Sequence, residues 1–238
     1  SSSLTVAPAG ATVKLLDGAT QIGSQVLGAG VTSWSITSSA LAQGSHAIAA
    51  TATVGANTSA PSGSLALTVD TTVPTGSDIQ TANGTTGGLI DANDQVKFTF
   101  SEAVDPASIA TGWNGSSIGV TVTFRNSNAG AASQRISAAT VTTGGATVNL
   151  VGQVGWTQSY LSGANNSTAT VTGTMTISAD KKTVTITLSA APSNVAASAI
   201  VATSTLNWTP VTGPKDTAGN ALTSVTPITE QGTADADF

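Results

Sequence analysis

Apolar and polar residues alternate in short runs along the whole chain, and clusters of Gly, Asn, Ser and Pro separate the runs. Alternation places every second side chain of an extended segment on one face. Many such runs at close spacing predict a β-sandwich or barrel. In the first third the runs are Ala11 to Leu16, Thr20 to Leu27, Ser33 to Thr37, His46 to Val54 and Ser64 to Asp70. Leu16-Asp17-Gly18 reads as a hairpin turn, because Asp-Gly tolerates the positive φ of a tight reversal. Ser38 to Gly44 reads as a bend or one helical turn joining two strands.

The string Asp70-Thr71-Thr72-Val73-Pro74 closes this first unit. Proline lacks a ladder N–H and holds its predecessor extended, so the boundary is placed at residues 73 and 74. A polar, Gly-rich approach, Thr75 to Gly88, follows. Gln95 to Phe100 then puts Val96, Phe98 and Phe100 on one face and starts a second core. Further strands are predicted at Gly119 to Phe124, Ile136 to Val141, Thr147 to Val151, Ala169 to Ser178, Thr183 to Ser189 and Ser204 to Thr209. Asp180-Lys181-Lys182 is read as a hairpin turn, and Asn126 to Ser133 and Ser159 to Ser167 as loops.

Composition supports strands over helices. Charged residues make up 8% of the 238 positions, against roughly 25% in an average globular protein. The surface must be built from Ser, Thr, Asn and Gly, and Thr suits a pleated, half-exposed face. Seven basic residues stand against 12 acidic ones, a net charge of −5. Such a chain has no basic face to neutralise a phosphate backbone, which excludes nucleic acid as a partner. There is no Cys, so disulfides, thiolate metal sites and cysteine nucleophiles are all excluded. No stretch reaches the roughly 20 apolar residues of a membrane span.

Four separated elements of the first unit, Gly10 to Gly18, Trp34-Ser35-Ile36, Leu41 to His46 and Val69 to Pro74, resemble the bacterial Ig-like repeats of large surface adhesins. The usual first strand is expected to be clipped. Phe98 to Ile109, Gly112 to Gly115, Asn207 to Pro210 and Asp216 to Leu222 resemble the longer Ig-like modules of bacterial surface and S-layer-type proteins. The resemblance implies two tandem immunoglobulin-like β-sandwich domains, residues 1–73 and a larger 74–238. It also implies an extracellular, secreted or cell-surface role as spacer, adhesin stalk or assembly subunit. Its partners would be neighbouring modules, like subunits, or a host or matrix glycan or protein.

Catalytic chemistry finds little to work with. A hydrolytic triad needs a base, and the single His, His46, sits in a strand on the same face as Ile48. Paired carboxylates for glycoside cleavage need aromatic platforms around a cleft, whereas the four Trp are scattered and Glu occurs only at 102 and 230. The chain is therefore read as non-catalytic. The candidate ligand is calcium, for which oxygen donors on loops are the natural ligands. Those donors are Asp70, Asp78, Asp91, Asn93, Asp94, Glu102 and Asp105, with Asp216 as a companion to Glu102. Polar turns are the competing explanation for each. Trp34 and Trp208 are read as core, while Trp113 and Trp156, with Tyr160, are the candidate contacts to a sugar or other partner. The readings alternative to an adhesin stalk are a subunit of an extracellular lattice, filament or virion decoration, and a carbohydrate-binding module.

Overall fold

In the computed structural model, which describes residues 10–28, 31, 33–126, 134–232 and 238, the Asp17-Gly18 turn reverses the chain as its residues dictate. Gly18 takes φ +57°, and β1 (Thr12–Asp17) folds back as β2 (Thr20–Val26). β3 (Gly44–Val54) pairs with β1 on its other side, and β4 (Asn57–Thr58) and β5 (Leu65–Val69) both pair with β3. Among the described residues this is one antiparallel five-stranded sheet. The register puts Val13, Leu15, Ile48, Ala50 and Ala52 on a common face.

A crossover rather than a second sheet covers that face. The predicted strand Ser33 to Thr37 forms no ladder. Instead Trp34 and Ile36 pack against a small core of Ala11, Val13, Leu27 and Ala50. Gly23 makes the approach possible, because a Cβ there would stand 2.6 Å from the Ile36 side chain. The Ser39 N–H donates to the Ile22 carbonyl at 2.7 Å. The cover is incomplete: on β5, Leu65 and Leu67 remain 65% and 42% exposed. The expected clipped first strand lies outside the described residues.

The chain divides into two compact units between Thr71 and Thr72. Among the described residues the second is also a single sheet. β6 (Gly76–Ala82), β7 (Gln95–Phe100), β8 (Ile118–Arg125), β9 (Arg135–Val141), β10 (Gln153–Gly155), β11 (Thr168–Ile177), β12 (Thr183–Leu188), β13 (Asn207–Thr209) and β14 (Ile228–Thr229) line up as β14-β13-β10-β9-β8-β11-β12-β7-β6. Every neighbouring pair is antiparallel. One helical turn, α1 (Pro106–Ile109), lies between β7 and β8.

The sheet curls until its outer strands meet. Asp78 on β6 accepts from the Gln231 N–H at 2.8 Å, and Gln80 Nε2 donates to the Gln231 carbonyl at 2.6 Å. The result is a nearly closed, barrel-like sheet rather than the face-to-face pair of sheets expected for this unit. The all-β class holds. β6 was expected as polar approach, since of its residues only Ile79 is fully buried; its polar side chains serve the seam. Thr147 to Val151 forms no strand, because Val148, Leu150 and Val151 enter the core one at a time along a turn.

The strand alternation is otherwise as read. Val96, Phe98, Phe100, Val120, Val122, Phe124, Val184 and Ile186 point inward and are essentially inaccessible. Burying a large apolar side chain is worth roughly 1.5–3 kcal/mol. Phe98 and Phe100 meet Trp208 edge-on, with centroids 5.2 and 5.4 Å away. Outward positions are mostly Thr in cross-strand register, Thr121 opposite Thr172, Thr123 opposite Thr170, Thr174 opposite Thr187 and Thr176 opposite Thr185. Thr–Thr pairs stabilise a sheet face without charge, which explains a surface so poor in Lys and Glu. The β11–β12 hairpin turns at Asp180-Lys181-Lys182, with Lys181 at φ +58°. Most of the predicted 126–133 loop lies outside the described residues.

Candidate functional site

The acidic residues sit in turns, and the turns decide what they do. Asp91-Ala92-Asn93-Asp94 links β6 to β7 and closes on itself. Asp94, inaccessible to solvent, accepts from the Gly84 N–H at 2.8 Å and the Asp91 N–H at 2.7 Å. Asp91 accepts from the Thr85 hydroxyl and, at 3.0 Å, from the Thr86 N–H. Asn93 takes the positive φ, +71°, that the reversal requires. Burial pushes the Asp94 carboxyl up to about 6, against the pull of its two N–H donors. A carboxyl raised in this way, clasped by backbone of its own loop, is a knot rather than an open calcium loop.

The other candidates are engaged in the same manner. Asp78 Oδ1 accepts from the Ile79 and Gln231 N–H groups, both at 2.8 Å, and from Gln80. Asp105 caps α1 through the Ala107 N–H at 3.1 Å. Asp70, in the first unit, accepts from Gln43 Nε2 at 3.0 Å. Asp216 opens a tight loop in which Gly219 takes φ +98°. Its Oδ1 accepts from the Ala218 and Asn220 N–H groups at 2.8 Å each, and Oδ2 from Asn220 Nδ2 at 2.7 Å. Desolvation pushes its pKa up, but the hydrogen bonds from Asn220, Gly219 and Ala218 outweigh it and hold the carboxyl below its ordinary value.

Of the candidate ligands in the second unit, the fold brings Glu102 and Asp216 together, with carboxylate oxygens within 4.8 Å. The isolated bridge between Val104 and Asp216 sets this approach. The donor chemistry suits a hard cation, since Asp216 Oδ2 keeps one lone pair beyond its bond to Asn220. Calcium takes 6–8 oxygens, so two carboxylates would need water or carbonyl ligands to complete its shell.

The candidate sugar contacts are placed otherwise than expected. Trp113, Trp156 and Tyr160 are 3%, 1% and 0% exposed. Trp113 is held by its indole N–H on the Ser116 carbonyl at 2.6 Å. Trp156 and Tyr160 stand edge-on to each other at 6.0 Å and both meet Phe238 at 5.5 Å. Buried rings offer no face to a sugar. Trp113 follows a turn glycine, Gly112 at φ +78°, whereas Trp156 directly follows Gly155, the last residue of β10, and both rings fold inward. Trp208 is core as read. Trp34, also read as core, is the one Trp only partly covered, and it lines an apolar groove of about 400 Å³ with Leu15, Ile48, Ala50, Ser62 and Leu65.

Nothing in the local pattern marked Gln134 and Asn126, which form a buried hub. Gln134 Nε2 donates to the Asn126 side chain and to the Leu161 carbonyl, and its Oε1 accepts from the Leu161 N–H at 2.8 Å. Asn126 donates to the carbonyls of Ser162 and Gly163. The hub pins the 159–167 loop to β9.

His46 lies on the face shared with Ile48, as its alternation required, and bonds at both ring nitrogens. Nδ1 is 2.6 Å from Asp17 Oδ2, and Nε2 is 2.8 Å from the Ala42 carbonyl. A triad would place a hydroxyl at Nε2, where the carbonyl stands instead. Compared with known proteins, the chain matches no family model, no curated protein and no solved structure.

Proposed function

We propose that the chain is a non-catalytic structural segment of a secreted or cell-surface bacterial protein, two β modules serving as spacer or adhesin stalk. The use made of its aspartates carries this reading. Asp17, Asp78, Asp91, Asp94, Asp105, Asp180 and Asp216 each accept at least one backbone N–H. Charge-assisted bonds of this kind are about twice as strong as neutral ones. Distributed over the turns, they brace loops in a chain with no disulfide to do so. An apolar-cored, Thr-faced sheet with braced turns is the construction expected of a load-bearing module.

In this proposal the first unit is a reduced Ig-like module, one sheet with a crossover in place of the second. Calcium, where present, is held by Glu102 and Asp216 in the second unit and stiffens the loops that carry them. The sugar-binding alternative loses the ring faces on which it depended.

Single-molecule extension of the full chain tests the proposal. At about 3.3–3.6 Å per extended residue, units of the observed lengths should release about 25 nm and about 60 nm of chain in two discrete steps. The force of the longer step should be higher in calcium than in chelator. Extension without discrete steps would remove the load-bearing reading, and an unchanged second step on chelation would remove calcium alone.

A further inference from the structure

The first 71 residues carry four ionisable side chains, Lys14, Asp17, His46 and Asp70, and two of them are joined across the sheet. Asp17 ends β1 and His46 lies near the start of β3. Besides His46, Asp17 receives the Ala47 N–H at 3.1 Å, so the carboxylate is fixed against β3. The far side of the imidazole meets the Ala42 carbonyl, which belongs to the 33–43 crossover. Both partners of the ring are acceptors. A neutral imidazole has one N–H and satisfies one of them; only the imidazolium donates to both.

Among the described residues of this unit, no competing charge faces the ring. From β1, Asp17 faces it, while Lys14 lies opposite Thr51 on the other side of the sheet. From β5 its partner is Leu67, and Asp70 beyond that strand is engaged by Gln43. The crossover and β2 contain no ionisable residue.

We propose that Asp17, His46 and the Ala42 carbonyl form a proton-operated latch, which holds the 33–43 crossover on the sheet while the imidazole carries two protons and releases it when one is lost. On deprotonation Nδ1–H stays with the Asp17 carboxylate, the stronger acceptor. The Nε2 lone pair then faces the Ala42 oxygen, and the contact turns from attraction to repulsion.

The sign follows from the two partners. The Ala42 carbonyl first, and Asp17 second, raise the His46 pKa above its ordinary 6.5. The His46 bond first, and the Ala47 N–H second, lower that of Asp17 below 3.8. The imidazolium's contribution is complete below about 6.5 and lost as pH rises through the raised value. The carboxylate's is complete above about 3.8 and lost as pH falls through the lowered one. The latch is closed in mildly acidic solution and opens toward alkaline pH.

His46 is the single His, so its ring resonances in the ¹⁵N-labelled full chain need no assignment by mutation. Both ring nitrogens should be protonated at pH 6, with a midpoint above 6.5. Amide exchange at Ser39, the crossover residue whose N–H is bonded to the Ile22 carbonyl at 2.7 Å, corrected for intrinsic base catalysis, should lose protection with that same midpoint. Asp17→Asn should move both midpoints down together. Protection that stays flat through the His46 titration in the unmodified chain would overturn the latch, as would a neutral ring at pH 6.

Discussion

Gly76 is where closure of the large sheet can be tested by adding one carbon. Its φ lies outside the left-handed region, so alanine is conformationally acceptable, and in a strand Ala is ordinarily better than Gly by roughly 0.5–1 kcal/mol. In this fold the new Cβ would lie 2.8 Å from Trp208 Cζ3, 3.2 Å from Pro210 Cγ and closer still to Ile228 Cδ1. Ile228 can yield, being the end of a flexible chain. Trp208 cannot, because its ring is packed between Phe98 and Phe100 and its indole N–H is held by the Leu150 carbonyl at 2.9 Å. Overpacking of this kind costs about 1–3 kcal/mol, so Gly76→Ala should destabilise by about 0.5–2 kcal/mol net of the backbone gain.

Ile228→Val removes the nearest offending atom and should alone cost about 0.5–1.5 kcal/mol. Combined with Gly76→Ala it should recover part of the loss, a coupling of at least about 0.5 kcal/mol between residues at opposite ends of the unit. Urea unfolding followed by tryptophan fluorescence, in a Trp34→Phe background, reports the second unit, which holds Trp113, Trp156 and Trp208. An unchanged m-value would show that the effect lies in the native state. If the substitutions are additive to within about 0.3 kcal/mol, or if Ala stabilises as in an ordinary strand, β6 and β14 do not meet and the closure argument fails.

Asp94, with its carboxyl raised to about 6 by burial, should make the second unit less stable as pH rises from about 4 to about 6, because the folded form holds that proton more tightly than the unfolded chain. The urea midpoint should fall across this interval in the unmodified chain and lose that slope in Asp94→Asn; a slope that survives the substitution would clear Asp94. Asp180, lowered mainly by the Ser178 hydroxyl, and Asp216 are both held below 3.8, so their contributions vanish only at more acidic pH and leave the interval clean. Gln134→Leu should cost about 2–4 kcal/mol, since it strands the Leu161 N–H and carbonyl and the Asn126 oxygen in the interior. Chemical denaturation measures this, and a loss under about 0.5 kcal/mol would show that the hub is dispensable.

Alternation and turn chemistry determined the local outcome wherever one face of a strand is buried and its ends are marked. β1, β3, β7, β8, β11 and β12 follow their runs, and Gly18 and Lys181 reverse the chain at the expected turns. A period of two states which residues point together, and that information is local. The absence of Cys, the scarcity of charge and the Thr-rich outer face belong to the same level. So does the position of His46 beside Ile48.

Only tertiary structure decided what those faces meet. β6, β10 and β14 are short or polar and carry little pattern of their own; they exist because neighbouring strands offer free hydrogen-bonding edges. Whether two apolar faces stack as a sandwich or one sheet curls until its edges meet depends on accumulated twist and on the Asp78–Gln231 seam, which joins residues far apart in sequence. The candidate site divides in the same way. Asp-rich turns were visible as oxygen clusters, but which carboxylates turn inward onto N–H groups, as at Asp94, and which approach another acid, as Glu102 and Asp216 do, depends on loop geometry. Trp113 and Trp156 went to the core and Trp34 to a groove for a related reason: a ring's exposure is set by what packs over it, and in this chain that covering comes from segments distant in sequence.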